Sequence, residues 1–436
     1  MSVTRQTIDE SEIAARELPG AVDEEHKQGC IMGLLTSRRF WAFMIVVGVI
    51  VAAIGIPHLF WVFAPELQLK ITMIDKTVPF TDRREHRGLS WLLIQNKFID
   101  QHADYSERYY IFDEDYIGFH PLQPPLLYTS DWLGAGSLAD RDVLIIADSY
   151  GVYTGDYYQY PGKQEAATRK SPKMFGGMME EEVDEIESFC RSGKLIISEF
   201  NSFASPTHPA LRSRMETILG ISWTRWVGRY FLDFQDDKDV PEWLHELYMK
   251  QTGKDNWDVN GSGYVLCRDD SSEYVILRDG QDVTSRGLEL VPRVKYIQGD
   301  VLQGVKPNRF NFWFDIVIPH ERAEVLADFK LHLTPSGQQL IEAHPSLPPM
   351  MTIPAVVRVR SDYTSYYFSG DFVDFNKAMG PPNSRLTLFI NRSYWNRPAP
   401  GGHGCFFWHT FYPMMSNILR LEAAKNTGKP TNPLLF

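Results

Sequence analysis

Cysteine is scarce in this chain of 436 residues: the four present, Cys30, Cys190, Cys267 and Cys405, are too few and too scattered for a disulfide framework. The short motifs of nucleotide and metal chemistry are missing too. Without a Gly-x-Gly-x-x-Gly or a phosphate loop, no nucleotide cofactor is supported. His-x-x-x-His and His-Glu-x-x-His do not occur, and His403 and His409 are six apart, which disfavours a metal-dependent deacetylase; no cofactor and no metal site is assigned, although acids grouped at strand ends could equally hold a divalent cation through oxygen ligands. Clustered Lys and Arg are lacking, and a net charge of −11 excludes a nucleic-acid surface. No low-complexity run and no repeat of fixed period marks a solenoid.

Long apolar runs are also few, and the one that stands out fixes where the protein works. Phe40 to Phe63 holds no Asp, Glu, Lys or Arg and follows Ser37-Arg38-Arg39. It exceeds the roughly 20 residues a helix needs to cross a bilayer. A signal peptide is the rival reading, but the segment before it is too long for a basic leader and no Ala-x-Ala-like site follows. Trp41 at one end and Phe60 and Trp61 at the other suit the two interfacial belts. Arg38 and Arg39, hard against the run, place the N-terminus inside. The expected order is a disordered cytoplasmic tail over 1–39, a single transmembrane helix over 40–63 and an extracytoplasmic domain over 67–436. Cys30 then lies across the membrane from the other three cysteines, which leaves room for at most one bridge.

What is present beyond the membrane is an alternation of strands and helices. At 44% hydrophobic and 13% aromatic residues, the chain can bury a large core. Leu67 to Ile74 ends at Asp75-Lys76, Asp142 to Ala147 at Asp148, Lys194 to Ser198 at Glu199, and Tyr366 to Ser369 at Gly370-Asp371. Short continuous apolar runs of this kind are the habit of parallel strands buried on both faces. Between them, Arg87 to Lys97, Glu180 to Arg191 (stopped by Gly193), His208 to Leu219 (closed by Gly220) and Phe406 to Ala424 carry helical periodicity. The pattern predicts an α/β fold with a doubly wound, mostly parallel sheet. From about 222 to 321 the rhythm turns to strands at Tyr264 to Cys267, Glu273 to Leu277 and Phe310 to Ile318, which predicts a β-rich insertion.

The stretch Gly176-Gly177-Met178-Met179-Glu180 through Gly193-Lys194-Leu195-Ile196-Ile197, followed by Leu211 to Gly220-Ile221, resembles the helix, turn and strand unit of the class I glutamine amidotransferase-like, flavodoxin-like family. It is especially similar to non-catalytic members, such as the trimerisation domains of some β-galactosidases. Ala323 to Ala327, Ile353 to Arg358 and Tyr366 to Asp371 resemble the late strands of those domains. The resemblance implies contacts with an envelope protein complex or a second copy of the chain. An active amidotransferase needs a Gly-x-Cys-x-Gly elbow, and none occurs here. Cys190 falls inside a predicted helix, where a thiol packs as a small hydrophobe, and Cys405 lies after the last predicted strand.

Chemistry is expected at the carboxyl ends of the strands, where open α/β sheets bind ligands. Asp148, Glu199 and Asp371 are the candidate catalytic carboxylates, since grouped acids raise one another's pKa and separate into an acid and a base. Asp75, Lys76, Arg84, His86, Tyr150, Tyr153, Asn201, Ser202, Trp226 and Arg229 are the candidate ligand-binding residues. Tyr150, Tyr153, Tyr157, Tyr158 and Tyr160 crowd one loop, and flat aromatic faces beside fixed polar groups suit a sugar. Ala147-Asp148-Ser149-Tyr150-Gly151 imitates a hydrolase elbow, yet the helix that should follow is missing. Against all this stands the reading that the acids merely cap helices or pair with Arg84, Arg225 and Arg229. The function expected is a membrane-anchored glycan-binding or assembly component of the cell envelope or of exopolysaccharide processes; the alternative is a glycan hydrolase using the rim of carboxylates.

Overall fold

Five short aliphatic segments make the centre of the molecule: β1 (Ile71–Asp75), β2 (Ile117–Pro121), β3 (Val143–Asp148), β4 (Leu195–Ser198) and β5 (Thr364–Phe368). They run parallel in the spatial order β2-β1-β3-β4-β5. Residues 143–147 and all of β4 are buried, which is why these segments read as continuous apolar runs. The computed structural model describes residues 38–101, 107–122, 127–155, 171–270, 272–348, 352–375, 377–399 and 402–428.

Helices cover both faces of this parallel core. On one side Met73, Val143, Ile145 and Ile197 pack with Leu89 and Leu92 of α1 (Arg84–Gln95) and Met415 and Leu419 of α4 (Tyr412–Thr427). On the other, Ile74, Leu144, Ile146 and Ile196 meet Val183, Ile186 and Phe189 of α2 (Glu180–Arg191) and Met215 and Leu219 of α3 (Pro209–Leu219). Local signals set the helix ends. Glu180, Glu181 and Glu182 occupy the positive first turn of α2, and Glu182 reaches back to the Met179 N–H. The His208 side chain caps the start of α3, and Gly220 ends it at φ 70°.

The complete sheet has ten strands and is mixed. Past β5 it continues antiparallel through Ile353–Arg360, Ala323–Leu333, Val283–Pro292 and Asn308–Arg309; at the other edge Tyr128–Ser130 pairs antiparallel with β2. A second sheet of four antiparallel strands is ordered Tyr274–Arg278, Gly263–Arg268, Ile221–Phe231, Phe314–Pro319.

Several expectations change. The segment 222–321 is not set apart as an insertion: Val283–Pro292 and Asn308–Arg309 belong to the large sheet, and Tyr264, Phe310 and Phe314 share its core. It also contains a helix, Glu242–Thr252, whose weak amphipathic pattern goes unread in the sequence. The run Leu67 to Ile74 is broken, because Leu67–Gln68 pairs with Phe98–Gln101 in another small sheet. Arg38 and Arg39 are already helical, so the tail boundary at 39 moves; residues 1–37, including Cys30, lie outside the described residues. Cys190, Cys267 and Cys405 are all buried free thiols.

The chain divides into two units, residues 1–60 and Trp61–Phe436. The helix Arg38–Val62, most of which lies in the first unit, is long and apolar enough to cross a membrane, and its apolar side chains up to Phe60 are exposed or half-buried. In the second, Trp61 Nε1 donates to the Gln95 carbonyl at 3.1 Å, and Lys97 Nζ donates to the carbonyls of Val62 and Ala64 at 3.0 and 2.8 Å. The ammonium thus satisfies carbonyls that a helix end leaves without partners.

Gly228 faces Phe314 across the four-stranded sheet, and the Phe314 ring lies 2.1 Å from where a Cβ would stand. Phe314 is fully buried and cannot swing away. Gly228→Ala is expected to destabilise the fold by about 1–3 kcal/mol, read as a lower thermal midpoint. Gly134→Ala, with nothing within 4 Å of the new atom, should leave the midpoint unchanged.

Candidate functional site

Strand order creates the site. The chain leaves β1 toward β2 on one side, and β3 then forms on the other, so the connections diverge at the β1/β3 boundary and open a crevice at the carboxyl ends. Asp75 and Asp148 end these two strands and are register neighbours. Glu199 follows β4, Asp371 and Asp374 follow β5, and Arg84 and Glu85 come from the first turn of α1. Two non-glycine residues with left-handed backbone, Arg83 (φ 47°) and Asn201 (φ 63°), lie in the turns after β1 and β4. Such conformations are sparsely populated and held only by their surroundings.

Asp75 is fully buried, and its Oδ2 lies 2.6 Å from His86 Nδ1. His86 Nε2 lies 2.6 Å from the Phe112 carbonyl, which can only accept, so Nε2 carries a proton and donates. Nδ1 faces the Asp75 carboxyl and ties the start of α1 to the end of β1. Asp148 Oδ1 accepts from Thr77 Oγ1 at 2.7 Å and from the Tyr150 N–H at 2.6 Å.

Glu199 Oε2 accepts from the N–H groups of Phe372 and Val373 at 3.0 and 3.1 Å, while its Oε1 is buried without a partner. Burial pushes this carboxyl up to about 8; the two N–H groups oppose the rise, and the charges of Asp75 and Asp148 add to it. Burial likewise raises Asp148, opposed by the Tyr150 N–H and reinforced by Asp75. Asp371 is raised by burial and then by Asp374, Glu199, Asp148 and Glu85. Glu85 and Asp374 are raised by burial, with Arg84 pulling against it. Arg84 Nε lies 3.0 Å from Glu85 and 3.9 Å from Asp374, and these carboxylates keep it charged despite burial. Asp148 and Asp371 keep partly exposed surface, as do Arg84, Arg229 and Trp313. Arg229 pairs with Asp239 and lies 5.1 Å from the Trp313 ring, which stacks on Phe200.

Asp75, Asp148, Glu199 and Asp371 stand at or just past the ends of strands of the parallel core, while part of the expected binding set lies elsewhere. Lys76 points away from the crevice. Its Nζ donates to Glu182 at 2.5 Å and to the Gly177 carbonyl at 2.8 Å, lies 4.1 Å from the Trp132 ring, and burial lowers it to about 8 against the pull of Glu182. Trp226 is wholly buried in the core, because the alternation of its strand turns it inward. Asp75 and His86 are sealed from solvent and serve as a buried pair. Ser202 is buried, its hydroxyl donating to the Glu199 carbonyl at 2.6 Å. Asn201 acts through its carbonyl, which accepts from the Ser149 N–H at 3.3 Å. Ser149 is buried and donates to the Ser202 carbonyl at 2.8 Å, so it is no exposed nucleophile. Tyr150 and Tyr153 lie 4.9 Å apart near the crevice; Tyr157, Tyr158 and Tyr160 fall outside the described residues. Arg225 pairs with Asp269 and Asp270.

Sequence reasoning omitted Glu85, Asp374 and Trp313 from the site. Asp374 had a usable signal, since Asp371-Phe-Val-Asp374 places a second acid just beyond a strand end. Trp313 had none, because it arrives from the second sheet. Among the described residues no group of three His, Cys, Asp or Glu is arranged to hold a metal ion. A separate cavity of 260 Å³, bounded by Arg293, Val317, Asp328 and Pro354, includes none of these acids.

No protein-family model and no curated protein matches the chain. Among solved structures it is similar to cytoplasmic protein STM1381 from Salmonella typhimurium LT2 (TM-score 0.35, 10% identity, covering 81% of this chain and 99% of that one). It is similar also to cytoplasmic protein STM3548 from Salmonella typhimurium (TM-score 0.33, 10% identity, 81% and 98%). A third likeness is to exo-beta-1,4-mannosidase Op5Man5 from Opitutaceae bacterium strain TAV5 (TM-score 0.27, 8% identity, 78% and 36%). TM-scores of this size do not define a shared fold, so the site is interpreted from its own residues.

Two outcomes follow from these geometries. Because the folded-state pKa of Glu199 lies above its unfolded value, the folded chain holds the extra proton between about pH 4.5 and 8. Stability is greatest below that window and falls as pH rises through it, by up to about 1.4 kcal/mol per pH unit for each such group. Thermal midpoints should decline from pH 5 to 8, and Glu199→Gln should flatten the decline. Separately, Glu182→Ala strands the Lys76 ammonium and should cost about 3–5 kcal/mol; Lys76→Met with Glu182→Leu should recover most of it.

Proposed function

We propose that the protein is a membrane-anchored, glycan-binding component of the cell envelope, held by its N-terminal helix with the N-terminus cytoplasmic and the main domain outside. A sugar docks at the crevice between Asp148, Asp371 and Trp313. The observation that carries this reading is the placement of the partly exposed Asp371 beside the partly exposed Trp313, whose carbonyl accepts from the Asp371 N–H at 3.0 Å, so that a hydroxyl acceptor stands next to an aromatic side chain. The order β2-β1-β3-β4-β5, with helices on both faces, is that of doubly wound flavodoxin-like sheets and supports the amidotransferase-like resemblance. Burial of Cys190 and Cys405 supports a domain without amidotransferase chemistry.

A second reading rests on one specific feature. Glu199, pushed up to about 8, is a carboxyl group that holds its proton at neutral pH, the state that the general acid of glycoside hydrolysis requires.

Full-length protein in detergent, applied to a glycan array, should bind a defined set of sugars. Asp148→Asn and Trp313→Ala should each weaken that binding at least about tenfold, the worth of one strong contact. Retained binding with no released product supports the adaptor; product formation that Glu199→Gln abolishes supports the hydrolase.

A further inference from the structure

The helix Arg385–Tyr394 turns an apolar side outward. Phe389, Ile390 and Tyr394 are 67%, 53% and 76% exposed, and helical spacing lines them up with the half-buried Leu386 and the exposed Ser393. The opposite side is fixed to the domain. Leu388 lies in the core, Asn391 Nδ2 donates to the Met379 carbonyl at 2.7 Å, and Ser384 Oγ accepts from the Leu386 N–H at 3.2 Å to cap the first turn. An amphipathic helix on a surface bathed by water shows its polar side; this one shows large apolar side chains, held in place from behind.

Charge separates the surfaces that could cover it. Residues 375–421 hold Lys377, Arg385, Arg392, Arg397 and Arg420 and not one Asp or Glu, in a chain whose net charge is −11. A second copy of the chain is a poor occupant, because a two-fold contact would set this basic stretch against itself. A bilayer with anionic headgroups fits both features: it takes apolar side chains at the headgroup boundary and arginines at the phosphates. The placement in the fold agrees. Gln95 accepts from Trp61 Nε1 through its backbone carbonyl at 3.1 Å, and its side-chain amide, with the nitrogen toward the carbonyls of Pro382 and Ser384, donates to both, 3.3 Å from the latter. Trp61 stands near the end of the long apolar run, so one residue separates it from the cap of this helix. Resting on the membrane-anchored reading above, we infer that the helix Arg385–Tyr394 lies in the membrane interface with Phe389, Ile390 and Tyr394 inserted among anionic lipids, a second point of attachment besides the N-terminal helix.

The test uses full-length protein in vesicles of mixed phosphatidylcholine and phosphatidylglycerol, with a nitroxide at one position at a time. The background is Cys30→Ser, since the other three thiols are buried. Ser393→Cys reports on the helix, Val49→Cys on the apolar run, and Glu181→Cys, on the exposed first turn of α2, is the control in water. Collisions with oxygen, which concentrates in lipid, should exceed collisions with a nickel chelate, which stays in water, at residues 49 and 393; the order should reverse at residue 181. In vesicles of phosphatidylcholine alone the oxygen-to-nickel ratio at residue 393 should fall about fivefold, the worth of one basic residue beside an anionic surface; an unchanged ratio overturns the part given to the arginines. Phe389→Ser with Ile390→Ser should return residue 393 to water. Lipid exposure at residue 49 with water exposure at residue 393 overturns the inference and leaves the anchored reading standing. Shielding of residue 393 from both reagents, with spin–spin broadening, indicates a second copy and overturns it as well. Water exposure at both residues 49 and 393 overturns both.

Discussion

Carboxyl groups confined at the ends of a buried parallel sheet, with too few cations to neutralise them, are the constraint on which this molecule turns. Helices shield both faces of the strands, so water reaches the acids only from the carboxyl end. Charge in such a setting is removed or shared. Asp75 pairs with His86, Glu85 and Asp374 lean on Arg84, Glu199 takes two backbone N–H groups, and Asp148 takes Thr77 and the Tyr150 N–H. The remaining repulsion appears as carboxyl groups that hold protons far above their usual range.

A fold minimising its own free energy would not collect acids in this way, since burying a carboxyl costs more than burying a hydrocarbon of the same size. The cost is accepted at one end of the sheet, where strained Arg83 and Asn201 are found as well. Elsewhere some buried charges meet a charged partner, whereas Asp315 is held by Tyr367 with one carboxyl oxygen left unpartnered. Lys76 and Glu182 tie the end of β1 to the start of α2, and Arg358 is held by Asp300 and Glu324 on the antiparallel extension.

Much of the scaffold was legible residue by residue. The aliphatic run ending at Asp148 is β3, the amphipathic segment Glu180–Arg191 is α2 with both ends in place, and Gly220 stops α3. Burial of Trp226, the inward turn of Lys76 and the arrival of Trp313 were not legible. Trp226 and Arg229 lie on one strand and read alike as surface candidates, but a bulge between Trp223 and Trp226 resets which side chains face the core. Lys76 follows an acid at a strand tip, which looks like a rim position until α2 brings Glu182 over it.

The sequence alone determined the apolar N-terminal helix, the strand and helix alternation, and the acids that end the strands, because those properties follow from local periodicity and from what each residue does next to its neighbours in the chain. Tertiary structure alone decided which of those acids share one crevice, which keep a cation and which are left without one. Those outcomes depend on contacts between residues tens to hundreds of positions apart, such as Glu199 with Phe372, and on how little water the packed helices admit between them.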